Sequence, residues 1–259
     1  MEPAALTKEQ IDMYLERIGI DERKDPSPAY LAELMHAHLT HVPFESLTPF
    51  LYHQVPSLDV QDLYEKIVVQ RRGGYCYELN GLFRELLAGL GYDCFTVGVC
   101  ILRRDPQMEH RIVHRGVIVE LDGSRFYTDV GFGGPCPVTP ILMDEDTGWQ
   151  ISGSRSYRYA ERDGYSFIDM NDQGTESYLF RFLTEPLQIE DFDEPNTLAA
   201  GGGHFGRDYV VSMLQDDGHV SLSGHLFKEV RNSETFEKTL SDEEIPSYLQ
   251  KYFGIRLPQ

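Results

Sequence analysis

The chain is poor in the residues that build metal or disulfide scaffolds. Four cysteines, Cys76, Cys94, Cys100 and Cys136, occur in 259 residues, and none forms a C-x-x-C pair. A structural zinc site is therefore not expected, and in a reducing compartment the thiols stay free. Long apolar runs are also missing. The strongest, Val97 to Leu102, is far short of the roughly 20 residues that span a bilayer. Positive charge is scarce: 23 Lys and Arg stand against 42 Asp and Glu, a formal charge of −19. That balance argues against nonspecific nucleic-acid binding and against docking on anionic membranes. The first ten residues lack a charged stretch followed by an apolar core, so no signal peptide is expected and the location expected is cytoplasmic. No internal repeat or low-complexity linker interrupts the chain.

What is present is ordinary globular composition, 41% hydrophobic and 25% charged. The N-terminal third reads as helical. Thr7-x-x-Gln10 is a capping-box pattern, and Ile11, Tyr14, Leu15 and Ile18 follow at helical spacing up to Gly19. Tyr30, Leu31, Leu34, Met35 and Leu39 repeat the pattern until Pro43. A third helix is expected from Ser57 or Asp59 through Val68. A fourth follows Gly73-Gly74, carries Leu79, Leu82, Phe83, Leu86, Leu87 and Leu90, and stops at Gly91. From Tyr92 the period becomes two. Phe95, Val97, Val99 and Ile101 alternate, as do Val117, Val119 and Leu121. Asp122-Gly123 predicts a hairpin, and short strands continue through Tyr157–Tyr159 and Tyr165–Phe167 as an antiparallel barrel or sandwich. Thr184 to Asn196 shows no period, and Ala199 to Gly203 reads as a flexible loop. Strands at Val210–Leu214 and Val220–Leu222 flank a second hairpin signal, and a last helix runs through Tyr252. Helices, then strands, then a mixed end predict an α+β fold.

Arg71-Arg72-Gly73-Gly74-Tyr75-Cys76-Tyr77-Glu78-Leu79-Asn80 is the most informative stretch. The glycines permit a tight turn, and Cys76 falls at the start of the helix behind it. There the helix dipole and free N–H groups favour thiolate, and Arg71 and Arg72 are placed to push the same way. A structural cysteine would instead occupy the Leu79/Leu82/Leu86 stripe. A thiol nucleophile needs a base, and the base needs an orienting group. If the hairpin turns at Asp122-Gly123, residues summing to about 243–245 face each other, which sets His114 beside Asp129. Cys76, His114 and Asp129 then form a Cys-His-Asp set, with His110 as the rival base beyond that register. His36, His38 and His41 do not suggest a metal site, because positions 36 and 38 face different sides of a helix.

These residues resemble the arylamine N-acetyltransferases, a family with a transglutaminase-like Cys-His-Asp triad. Val42-Pro43-Phe44-Glu45-Ser46-Leu47 is similar to the family's I/V-P-F-E-N-L, Arg72 to Asn80 to R-G-G-x-C-x-E-x-N, and Asp129 to Gly133 to D-V-G-F-G. The resemblance is firm over roughly residues 30–142. It implies a helical domain over 1–91, a β-barrel domain over 92–190 and an α/β lid over 191–259. It also implies acetyl-CoA as cosubstrate, no metal, and transfer through a Cys76 thioester to an arylamine, arylhydrazine or arylhydroxylamine in xenobiotic metabolism. Phe44, Phe132 and Phe205 match its substrate pocket, and Gly131 and Gly133 its space for the pantetheine arm. Arg72 and Glu45 are expected as a structural ion pair.

Two departures stand out. Ser46 replaces the family's Asn, which alters one buried hydrogen-bond partner. After Asp191-Phe192, the family's Asn…Ser-Thr…Ser-x-Phe stretch gives way to Asn196 through Phe205, about two residues shorter and without the hydroxyls. Gly201-Gly202-Gly203 is not a phosphate-binding loop, since no Lys-Ser/Thr follows. Other readings compatible with the motifs are an amide synthase acting on a carrier-bound acyl chain, a thiol hydrolase, and a binding module for aromatic ligands.

Overall fold

A computed structural model describes residues 6–102, 111–201, 204–232 and 234–257. The N-terminal part is helical for local reasons visible in the chain. Helix α1, Lys8–Arg17, starts with a complete Thr7/Gln10 capping box, and Gly19 takes φ +77° just past its end. Helix α2, Pro28–His41, is capped by Ser27 and carries proline in its first turn. A two-residue strand, β1 (Phe44–Glu45), leads into the short α3, Leu47–Tyr52. Helix α4, Val60–Tyr64, is capped by Asp59 and runs on as a π turn over Glu65–Val69. The expected third helix is therefore present but changes its hydrogen-bond period halfway. Helix α5, Cys76–Gly89, starts at the thiol. Helices of this length are marginal alone. Tyr14, Leu34, Leu82, Phe83 and Leu86, all fully buried in one core, hold them together.

Eight antiparallel strands form the middle. They are β2 (Asp93–Ile101), β3 (His114–Leu121), β4 (Ser124–Thr128), β5 (Ile141–Leu142), β6 (Gln150–Ser152), β7 (Arg155–Arg162), β8 (Tyr165–Asp172) and β9 (Thr175–Phe182). Their order is β5-β4-β3-β2-β9-β8-β7-β6. The two edges meet through a side chain: Gln150 accepts from the Leu142 amide at 2.8 Å and donates to the Leu142 carbonyl at 2.9 Å. The barrel is thereby nearly closed, which removes exposed sheet edges. Asp122-Gly123, Asp163-Gly164 and Gln173-Gly174 all have positive φ, as two-residue hairpin turns require. Of these turns Asp122-Gly123 is the one expected from the sequence, and β9 is an element beyond that expectation.

The C-terminal part holds α6 (Asp193–Gly201), β10 (Val210–Gln215), β11 (Gly218–Ser223), β12 (Leu226–Arg231), β13 (Glu234–Thr239) and α7 (Ile245–Phe253). Strand β1 reaches out of the helical part to pair with β10, with Phe44 opposite Ser212 and Glu45 opposite Val211. One expectation is corrected here. Ala199 to Gly201 are helical rather than a flexible loop, while Gly202 and Gly203 lie outside the described residues. Asp193 and Glu194 in the first turn complement the helix dipole. Asn196 also pins the helix, because its buried amide donates to Pro56 O at 2.9 Å and accepts from the Tyr75 hydroxyl.

Candidate active site

The two N-terminal motifs are stitched together before any chemistry is built. Glu45 N donates to Gly74 O at 2.8 Å, and Phe44 bridges Gly74 in parallel. The double glycine makes this approach possible: a Cβ on Gly73 would lie 1.9 Å from the Pro43 carbonyl oxygen, and one on Gly74 would lie 2.8 Å from Glu78. Behind the turn lies a buried charge network. Arg72 donates to Glu45 at 2.7 and 3.1 Å, and Lys66 sits 2.6 Å from Glu78 and 3.8 Å from Glu45. Burial opposes ionisation of Glu45, yet Lys66 and Arg72 together hold its carboxyl below the ordinary range. At Glu78 burial prevails: with a smaller repulsion from Glu45 it raises the carboxyl despite Lys66. Glu78 also accepts from the Tyr75 amide at 3.1 Å, which fixes the start of α5.

Cys76, buried, opens α5. His114 opens β3, and Asp129 follows β4 directly. The strands pair with register sum 245, Val117 opposite Thr128, so His114 and Asp129 meet diagonally just beyond the last pair. The expected juxtaposition is found: His114 Nε2 lies 2.5 Å from Asp129 Oδ2. Cys76 is the second group that interacts with the imidazole. Burial disfavours a charged His114. The Asp129 carboxylate and the Cys76 thiol outweigh it and raise the imidazole to about 10. Asp129 moves oppositely: burial raises it, but His114, Asn80 and the Gly131 amide bring its carboxyl below the usual range. The rival base His110 lies outside the described residues.

Several supporting residues were not assigned roles from the sequence. Asn80 Nδ2 donates to Asp129 Oδ1 at 2.9 Å, and Asn80 Oδ1 accepts from the Val130 amide at 2.8 Å. One helical turn after Cys76, it shares the face of the thiol. Tyr127, two residues before Asp129 and so on its face of the strand, donates to Asp129 Oδ2 at 3.0 Å. Arg72, expected beside the thiol, is paired with Glu45 instead, and buried Arg115 donates to Tyr77 O at 3.2 Å, next to Cys76 in the chain.

A cleft of about 930 Å³ opens over Cys76 and His114. Phe44, Phe132 and Phe205 all line it, with Phe44 and Phe205 centroids 5.8 Å apart and Phe132 edge-on to His114 at 5.6 Å. Helix α6 supplies Glu194, Pro195, Leu198 and Ala199 to its wall. Gly131 lines the cleft too, and it is also required by packing, since a Cβ there would stand 2.8 Å from Cys76 Cα. Gly133, at φ +67°, lies against Phe44, whose ring a Cβ would meet at 2.5 Å. Ser46 Oγ is buried without a hydrogen-bond partner among the described residues, which is the consequence of the substitution noted in the motif. His38 is core: it packs edge-on to Tyr14 and Phe83.

A thiol and an imidazole facing an aromatic cleft, with a carboxylate buried behind the imidazole, match the equipment of a cysteine acyltransferase. The comparisons give the family. A family model described as N-acetyltransferase matches residues 29–259. The arylamine N-acetyltransferase of Mycolicibacterium smegmatis is 32% identical, over 82% of this chain and 78% of its own. The solved Mycobacterium marinum arylamine N-acetyltransferase in complex with CoA superposes with TM-score 0.86 at 27% identity, covering 95% of this chain and 92% of that one. Proansamycin X synthase of Amycolatopsis mediterranei is 28% identical over 90% of this chain and 92% of its own. The chain belongs to the arylamine N-acetyltransferase family, whose members are acyltransferases. Among the described residues no helix is long and apolar enough to cross a membrane.

Proposed function

We propose that this protein transfers an acetyl group from acetyl-CoA, through a thioester on Cys76, to a small aromatic amine, hydrazine or hydroxylamine. The single observation that carries the assignment is the Cys76–His114–Asp129 contact chain at the base of the aromatic cleft. Cys76 attacks the thioester carbonyl as thiolate, with His114 holding its proton. The tetrahedral oxyanion would find the amides that open α5, which by helix geometry have no intrahelical acceptor. Collapse expels CoA thiolate, which takes the proton from His114. The amine then attacks the acyl-enzyme, His114 removes its proton, and Cys76 is released, a two-step exchange through a covalent intermediate. Asp129 fixes the imidazole with Nε2 toward the carboxylate, leaving the other nitrogen for the thiol. Phe44, Phe132 and Phe205 would stack on the aromatic acceptor, with Gly131 and Gly133 keeping the approach to Cys76 narrow-walled and open for the cofactor arm. The three-domain division at residues 91 and 190, a cytoplasmic location and a role in xenobiotic metabolism are parts of the same reading.

Intact mass after incubation with acetyl-CoA, without amine, tests it. One added acetyl group is expected, absent in Cys76→Ala and in His114→Ala. No acylation by acetyl-, propionyl- or malonyl-CoA would overturn the assignment. The similarity to proansamycin X synthase favours a second reading, an amide synthase that takes its acyl chain from a carrier. Acylation by carrier-bound chains and none by acyl-CoA would select it.

A further inference from the structure

Asp129 is buried and receives four donors, two on each oxygen. Oδ1 takes Asn80 Nδ2 and the Gly131 amide, each at 2.9 Å. Oδ2 takes His114 Nε2 at 2.5 Å and the Tyr127 hydroxyl at 3.0 Å. The phenol is built into this place. Its ring is fully buried, stacked on Phe182 at 5.1 Å and tilted against Phe180 at 5.7 Å. On the neighbouring strand, Gly116 leaves the room it needs, because a Cβ there would stand 2.8 Å from Cε2 and 2.9 Å from the hydroxyl oxygen. Glycine in a buried strand forgoes side-chain packing, so the pair Gly116–Tyr127 trades packing for one hydrogen bond to the carboxylate.

We propose that Tyr127 is a positioning residue that sets the basicity of His114 through Asp129, keeping the imidazole able to shed its proton once Cys76 is acylated. This rests on the proposed role of the triad. In the proposed mechanism the imidazolium faces two anionic partners before acylation, the Cys76 sulfur that has given up its proton and Asp129. Acylation removes the first. The second then decides whether His114 is neutral and able to take a proton from the incoming amine. A phenol sharing Oδ2 with the imidazole bonds more strongly when that oxygen is not already neutralised by an imidazolium. It therefore favours the state with neutral His114 and lowers the proton affinity of the ring. The other titratable groups facing this cluster are Cys76 from the start of α5 and Cys136 from the segment after β4, whose thiol burial keeps protonated. From β9 only the apolar rings of Phe180 and Phe182 face it.

The test uses Cys76→Ser as a stand-in for the acyl-enzyme, uncharged at position 76, with and without Tyr127→Phe. NMR titration of the His114 ring reads the proton directly and needs neither CoA nor amine, so it is independent of whether the acyl donor has been assigned correctly. Tyr127→Phe keeps the ring and removes the hydroxyl. The expected result is a His114 titration moved up by about 0.5–1 pH unit, from the differential strength of one charge-assisted hydrogen bond. Gly116→Ala, which pushes the phenol off Oδ2, should move it in the same direction. Superimposed titration curves for Cys76→Ser with and without Tyr127→Phe, or a downward shift, would overturn the proposal. A merely structural role for the ring would leave the titration where it was.

Discussion

Removing Arg72 should damage folding far more than chemistry, and the structure allows the cost to be worked. Glu45 is fully buried and accepts three bonds, two from Arg72 at 2.7 and 3.1 Å and one from the Leu47 amide at 2.6 Å. Breaking a buried pair by deleting one partner typically costs about 3–5 kcal/mol, because the other charge is left uncompensated. Here Lys66 remains 3.8 Å from the stranded carboxylate, so Arg72→Met should fall near the low end, about 3 kcal/mol. Glu45→Gln releases Arg72 and half of Lys66, but Lys66 keeps Glu78 at 2.6 Å and the amide can still accept from Leu47. A smaller loss of about 1–3 kcal/mol is expected there. The double variant should cost less than the sum, since neither charge is then left without its partner. Urea midpoints at constant slope measure all three. The folded fraction of each variant should still take one acetyl group from acetyl-CoA. Unchanged midpoints together with lost acylation would refute this account and place Arg72 in the chemistry.

Two further outcomes follow from single contacts. Gly131→Ala puts a Cβ 2.8 Å from Cys76 Cα and 3.1 Å from Asn80 Nδ2, so the turn after Asp129 must retreat from the thiol. Acylation, followed by stopped mixing and mass, should slow about 100-fold, as misplacements near 1 Å do, and an unchanged rate would show that the turn gives way freely. His38 is buried without a partner for either ring nitrogen among the described residues, and burial, helped by the charges of Arg17 and His41, lowers it to about 3. The unfolded chain binds a proton near pH 6.5 that the native core refuses, so native stability is unaffected above that pH and falls between 6.5 and 3. The linked loss is on the order of 5 kcal/mol. His38→Leu should flatten the fall in urea midpoint across that window, and an unaltered pH profile would exclude His38 as its source.

The elements legible in the sequence are those whose cause is local. The Thr7 capping box, the helix end at Gly19 and the Asp122-Gly123 turn act within a few residues, and each is found. Strand β9 was missed because its faces do not alternate cleanly: Leu179 and Phe180 are both buried while Tyr178 is exposed. Helix α6 shows no period in the sequence and its end at Ala199 to Gly201 reads as a loop, because its helical start signals, Asp193 and Glu194, sit inside an acidic stretch. Its anchor, Asn196 on Pro56 and Tyr75, is made 140 and 121 residues away. The same division holds at the site. His114 and Asp129 were paired by hairpin arithmetic alone. Arg115 was not found, because its role depends on packing α5 against β3, a contact no local pattern encodes.

Charge is where local reading and structure differ most usefully. Between Lys66 and Arg125 the chain has nine basic and seven acidic residues, an island of slight positive charge in a chain of −19. Read along the sequence, this island looks like a surface suited to an anionic cofactor. In the fold most of its described cations are spent internally. Lys66 pairs with Glu78, Arg72 with Glu45 and Arg84 with Glu85, and Arg115 is buried over the Phe192 ring at 4.8 Å. Lys66 and Arg72 face the buried carboxylates of Glu45 and Glu78, and those residues in turn hold the turn that presents Cys76. Arg111 is the one lysine or arginine among the described residues lining the cleft, which Asp191 and Glu194 also line. The local excess of positive charge therefore supports the proposed nucleophile through the architecture behind it, and it contributes little to a basic surface in front of it.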